Sequence, residues 1–339
     1  MRNLDKMLGT LYGQAVGSAM AMPTTGWSRE RILKEFPLPI TDFMDGPLTN
    51  MRVKDYHRGQ YTVGLQQALV VIQTLHATHW EYDQVQVAQH LLDWARRIKA
   101  YEKATLDETS KTALRLFAGD KDITRITQTA MDNGAVGRMP LIGALYTPAE
   151  KMALVEMVYQ VSKITHETDV TIAGGGLIAG AVAAAVADYD WEQIIEFALV
   201  ISELGESLGA PTYSARVKQR VRLGVHIAKQ FKEQPTGFGR AIYELVGTGE
   251  LVSESVAAAL VIAYYTRDVK KCAVLCANIG GDTDMIGALA TAICGAKNGW
   301  QSIPKDWCSL IDRQNPPQDL KGIGQQMLTF QSMRTSQQP

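Results

Sequence analysis

From Ile172 to Ala187 the chain runs through 16 residues that are all apolar or glycine, most of them Ala and Gly. A helix built from them has no polar face to turn to water, so it must be enclosed. It is also shorter than the ~20 residues that span a bilayer. The segment therefore predicts a helix at the centre of a protein core, ringed by others. Gly174-Gly175-Gly176 and Gly180 would let those neighbours approach closely.

Apolar residues recur at helical spacing in 4–20, 65–77, 82–99, 110–118, 139–146, 149–162 and 168–188, and again in 191–204, 212–232, 239–246, 253–265, 269–277 and 284–299. Helix-start signals recur at Pro148-Ala149-Glu150, Asp190-Trp191-Glu192 and Ser253-Glu254-Ser255. Alternating strand patterns are scarce. The expected fold is all-α, a single compact multi-helix domain over residues 1–331, with a polar tail at 332–339 that should fray. Residues 22–60 stand apart, with Pro23, Gly26, Pro37, Pro39, Gly46, Pro47 and Gly59 and little periodicity. A loop of that length suits a lid or a binding loop.

Charge narrows the partners. With 34 basic and 35 acidic residues the formal charge is −1, which leaves no footprint for nucleic acid or an anionic membrane. Cys272, Cys276, Cys294 and Cys308 form no C-x-x-C pair, so buried, reduced thiols and a cytoplasmic location are expected. Asp5 and the interrupted apolar run after it do not read as a secretory signal.

The chemistry points first to Cys276-Ala277-Asn278-Ile279-Gly280-Gly281-Asp282-Thr283-Asp284-Met285. Gly280 and Gly281 let backbone approach a ligand, and Asp282 and Asp284 offer hard oxygens suited to Mg²⁺, Mn²⁺ or Ca²⁺. The plainer alternative is an acidic turn capping a helix. Gly13 to Pro23 has glycine spacing fit for close packing. In Asn133-Gly134-Ala135-Val136-Gly137-Arg138, free N–H groups and Arg138 could hold a phosphate, or the segment is an ordinary turn with a surface arginine. His166, in Ile164-Thr165-His166-Glu167, could bond a phosphate or ribose, or simply begin a helix.

Together, these pieces resemble the ADP-ribosylglycohydrolase family from about Leu8 to about Gly299. The order matches: a G-x-x-x-G helix, Tyr61-Thr62, Thr109-Ser110-Lys111, the Asn-Gly-Ala turn, the Thr-His stretch, then A-N-x-G-G-D-T-D. The resemblance implies an all-α fold, two divalent metals (Mg or Mn) and hydrolysis of the glycosidic bond at the ribose of an ADP-ribosyl group. It also implies metal ligands from an early T-D-D-T and a late D-x-D-[ST]. Here the early motif reads Thr62-Val63-Gly64-Leu65, and Met285 follows Asp284. Ser18 and Thr25 stand where the family carries acidic residues. Four carboxylates are missing, and Asp282 and Asp284 alone cannot offset two dications. The resemblance then implies at most one weakly held cation, at Thr62, Asp282 and Asp284, or none.

The expected function is an impaired ADP-ribosylglycohydrolase-like protein that binds ADP-ribose, or a related nucleotide or ribosyl ligand, through Asn133, Gly134, Ala135, Arg138, His166, Gly280 and Gly281. An ADP-ribosylated protein is a candidate partner. The alternative is a divergent hydrolase of an ADP-ribosyl or nucleoside bond, with Asp282 or Asp284 as base and its second carboxyl among Asp42, Asp45, Asp55 and Asp169.

Overall fold

The computed structural model describes residues 2–336. Among them the regular structure is helical, and strand-like pairing is limited to three isolated bridges, Trp27 with Gly281, Asp132 with Leu251 and Thr168 with Ala210. The Gly-rich segment forms the helix Asp169–Val186, capped by Thr168, and every residue of it is buried. Trp191–Glu206, Met139–Ala144, Val252–Thr266, Lys151–Lys163 and Thr283–Asn298 surround it. By length and composition it could cross a membrane, but 94% of that window is buried inside the protein, so it is a core helix.

A second feature positions the site. Helix Arg2–Ala21 runs antiparallel to Thr283–Asn298 with the two backbones in contact. A Cβ on Gly295 would lie 1.9 Å from the Gly9 carbonyl oxygen, and one on Gly17 would lie 2.1 Å from that of Gly287. Between these crossings Thr291 Oγ1 reaches the Gly13 carbonyl at 2.6 Å, and Thr283 Oγ1 donates to the Ala21 carbonyl at 2.7 Å. The glycine spacing read from sequence thus serves close packing. It brings the end of the first helix to the start of the last core helix.

The 22–60 segment is not wholly irregular. Ser28 caps a short helix, Arg29–Glu35, which buries only Ile32 and so left almost no periodic signal. Asn50 ties the segment to the Pro23 and Thr25 carbonyls, and Asn278 holds both the N–H and the carbonyl of Ile40. Two C-terminal helices, Lys305–Gln314 and Leu320–Ser336, were also missed. The second carries Arg334 to an ion pair with buried Glu150 at 2.8 Å. The end expected to fray from residue 332 is helical as far as Ser336; residues 337–339 lie outside the described residues.

Helix propensity alone says that Gly→Ala inside a helix stabilises by about 1 kcal/mol. The backbone contact reverses that sign. Gly13→Ala and Gly295→Ala should each lose about 1–3 kcal/mol through overpacking, read as a lower urea midpoint. A gain in either variant would refute backbone-to-backbone packing.

Candidate functional site

A cavity of about 390 Å³ opens where the last core helix begins. One wall comes from the Gly280-Gly281 turn. Both glycines have positive φ, 91° and 86°. Gly281 exchanges backbone hydrogen bonds with the 26–27 segment, and a Cβ there would lie 2.1 Å from the Thr248 carbonyl oxygen. Neither glycine lines the cavity; together they set the chain direction into Asp282 and Asp284, which do. Asp282 is 8% exposed and accepts from Asn133 Nδ2 at 2.6 Å. Burial pushes its carboxyl well above the ordinary value, and neighbouring Asp284 pushes it further. Thr25 Oγ1 lies close to Asp284 and 3.4 Å from Asp282 Oδ1. Its single proton goes to the nearer Asp284, so a protonated Asp282 can donate to Thr25 in turn.

The opposite contribution comes from carboxylates that the sequence reading did not single out. Asp107 caps the helix Glu108–Ala118 through Ser110 N at 2.6 Å. Its Oδ2 sits where a Cβ on Gly134 would be, 2.3 Å away, which is why a glycine stands there. Asp132 accepts from His166 Nε2 at 2.7 Å, Thr109 Oγ1 at 2.6 Å and Gly134 N at 3.1 Å. Burial raises Asp107, against the pull of His166. Burial acts on Asp132 too, but its bonds to His166, Thr109 and Gly134 outweigh it and hold that carboxylate far below the usual range. Glu108 and Glu250 complete a lining of six carboxylates, with Arg52 as the one cation, itself paired to Glu250. The expected shortage of negative oxygens is therefore a shortage at the family's usual positions and not in the cavity.

The fourth side is apolar. Val63, Gly64 and Met285 line it, and a Cβ on Gly64 would sit 3.3 Å from the Met285 methyl. Thr62 Oγ1 lies 2.9 Å from Ser18 Oγ. With no carboxylate here, this side cannot hold a cation. One hard cation fits, since several carboxylates face one small space. Asp107, Asp132 and His166 also place potential ligand atoms within 4.8 Å of one another.

The remaining expected residues stand behind the wall. Ala135 is fully buried and outside the lining. His166 is fully buried behind Asp132, with Nδ1 2.9 Å from Thr165 Oγ1. Arg138 is 1% exposed and is neither a surface residue nor a lining one. It donates to Gln67 Oε1 at 2.7 and 3.0 Å, to Thr165 Oγ1 at 3.0 Å and to the Val161 carbonyl at 3.1 Å. Burial lowers its pKa to about 10, still high enough to stay charged at neutral pH. Thr165 Oγ1 thus lies between Arg138, which can only donate to it, and His166 Nδ1, while His166 Nε2 faces Asp132. Gln67, with its carbonyl fixed by Arg138, keeps Nε2 unpartnered among the described residues and lines the cavity. Asp42, Asp45 and Asp55 do not line it, and Asp169 is occupied by Arg216 at 3.0 Å and by Thr212.

Comparison with known proteins bears on the family and the fold. A family model described as ADP-ribosylglycohydrolase matches residues 1–337. "Uncharacterized protein YegU" of Escherichia coli (strain K12) is 33% identical over 312 residues, 92% of this chain and 93% of that protein. An "Uncharacterized protein" of Archaeoglobus fulgidus is 26% identical over 312 residues, 91% of this chain and 93% of that one. A solved structure titled "ADP-ribosylglycohydrolase-related protein complex" superposes with a TM-score of 0.71 at 19% identity, covering 97% of this chain and 99% of the other.

Removing Arg138 would leave Gln67 Oε1, Thr165 Oγ1 and the Val161 carbonyl unpaired in the interior. Arg138→Met should cost about 1–3 kcal/mol for each group that finds no substitute. Adding Gln67→Met should recover part of that loss. Urea unfolding of the two single variants and the double variant checks this, and strict additivity would argue against the pairing.

Proposed function

The chain belongs to the ADP-ribosylglycohydrolase family, and from that premise we propose that its cavity receives the ribosyl end of an ADP-ribosyl or nucleoside-type ligand and cleaves the glycosidic bond. The observation that carries this is the pair of raised carboxyls, Asp282 and Asp107, delivered to one cavity by two separate helix starts. Asp282, held protonated by burial and by Asp284, protonates the leaving group. Asp107, raised into a more basic range, takes a proton from water. Asp132, saturated by three hydrogen bonds, stays ionised and faces positive charge developing on the ribosyl ring. Gln67 Nε2 is free to donate to a ribose oxygen.

A single Mg²⁺ or Mn²⁺ held by Asp282 and Asp284, beside Thr62, would displace the Asp282 proton; it would stand in place of that acid and supply Lewis-acid polarisation of bound oxygens. The reading does not require two metals, because the Val63–Gly64–Met285 side offers no oxygen to a second. That same apolar side favours a second reading, in which the ligand binds and is not cleaved.

Incubation with ADP-ribosyl-arginine, ADP-ribosyl-serine and a nucleoside panel separates the two. Hydrolysis predicts release of the free ribosyl product, with Asp282→Asn and Asp107→Asn each lowering kcat by about 10²–10⁴-fold. Calorimetric binding of a panel member by folded protein without release leaves only the binding reading. In a separate titration with Mn²⁺ alone, no more than one ion should bind. Two tightly held ions would contradict the single-cation reading and point to Asp107, Asp132 and His166 as a second ligand set.

A further inference from the structure

A second concavity, of about 1170 Å³, lies beside the short helix Arg29–Glu35. Ile32, Phe36, Val274 and Leu275 make its apolar surface, and Leu33, 64% exposed, stands at its edge. Five cationic side chains line it, Arg29, Lys229, Lys232, Arg267 and Lys271, against one acid, Glu233. On a chain whose formal charge is −1, this is a local concentration of positive charge. Arg267 is engaged by Glu192 at 3.3 Å, and Arg29 donates to the Asn278 carbonyl at 3.1 Å. Lys229, Lys232 and Lys271 are exposed and have no ion-pair partner among the described residues.

Size and chemistry narrow the occupant. The volume exceeds the roughly 300–1,000 Å³ of small-molecule pockets. Lysine can hold a phosphate as a point charge, but dedicated phosphate sites add bidentate arginine or clustered backbone N–H groups. Here most of the free charge is lysine on helix flanks, and a phosphate would leave the apolar floor uncovered. We propose that this groove docks an extended acidic peptide segment of a partner protein. The segment's carboxylates would meet Lys229, Lys232 and Lys271, and its aliphatic or aromatic side chains would rest on Phe36 and Leu275. The groove also shares a wall with the cavity: a Cβ on Gly280 would lie 2.8 Å from Arg29 N, so a docked segment sits next to the turn that aims Asp282. The proposal does not depend on glycosidic cleavage.

Fluorescence anisotropy of the full chain with short labelled peptides tests it. One peptide alternates Glu with Leu and Phe, one replaces every Glu by Lys, and one replaces every apolar residue by Ser. The first should bind best. Lys232→Glu with Lys271→Glu should weaken it about tenfold, as should added salt in part. Leu33→Ser, at an exposed position, should weaken the apolar-containing peptide and leave the Ser peptide unaffected. Equal binding of the acidic and basic peptides would overturn the proposal. So would no binding of any peptide up to millimolar concentration, or stronger binding of inorganic polyphosphate than of the acidic peptide.

Discussion

The site exists because two helices touch backbone to backbone. Arg2–Ala21 and Thr283–Asn298 meet at Gly9, Gly13 and Gly17 on one side and Gly287, Thr291 and Gly295 on the other. A Cβ at any of those five glycines would meet backbone of the other helix at under 3 Å and hold the axes apart. With the axes close and antiparallel, Thr24 reaches Thr283 and Thr25 reaches both Asp282 and Asp284. The packing of the core and the geometry of the carboxyl pair are thus one constraint.

That geometry creates an electrostatic problem, which the protein meets separately at each carboxylate. Asp132 is stabilised as an anion by three donors, one of them His166, which Thr165 and, behind it, Arg138 hold in place. Asp282 is buried next to Asp284 and is relieved by holding a proton. Glu250 is matched by Arg52 from the long loop, and Glu108 by Lys111 at 2.7 Å. Arg138 touches no carboxylate directly. Its fully buried positive charge lies one hydroxyl and one imidazole away from Asp132, and the cavity carboxylate whose charge it feels is Asp107.

The legible part of the sequence was the part with periodicity or dense local signal. The helix Asp169–Val186 was readable because an all-apolar surface has one physical solution, and Asp282 with Asp284 because glycines and carboxylates crowd into a few residues. Asp107 and Asp132 carried no such mark. Asp107 begins a helix as any N-cap aspartate does, and it does cap that helix; its second oxygen becomes functional only because Gly134 leaves room. Arg138 beside an Asn-Gly turn reads as a surface anion binder. Only tertiary structure shows that Gln67 and Val161, far away in sequence, enclose it. The helix Leu320–Ser336 escaped because its polar residues are interspersed with its few buried contacts, and Arg29–Glu35 because seven residues with one buried side chain display no period.

The departures from the family pattern are not independent of one another. Gly64 packs against Gly137, whose own added Cβ would lie 2.7 Å from Gly64 Cα, and the Met285 methyl occupies the space in front of Gly64. A side chain at position 64 would need the Met285 methyl to give way by a few tenths of an ångström, and a short hydroxyl at 285 would leave a gap beside Gly64. Each replacement makes the other sterically consistent. Ser18 and Thr62 likewise satisfy each other at 2.9 Å, twice, through side chain and backbone. A corner relieved of ligands one at a time by unconstrained change would hold unpaired polar atoms or voids, both of which cost stability. Ser18 with Thr62 and Gly64 with Met285 leave no such fault between them, while Asp107 and Asp132, which also face the cavity, come from other segments. In the reading proposed above, protons and hydrogen bonds at these acids carry part of the work of offsetting their charge.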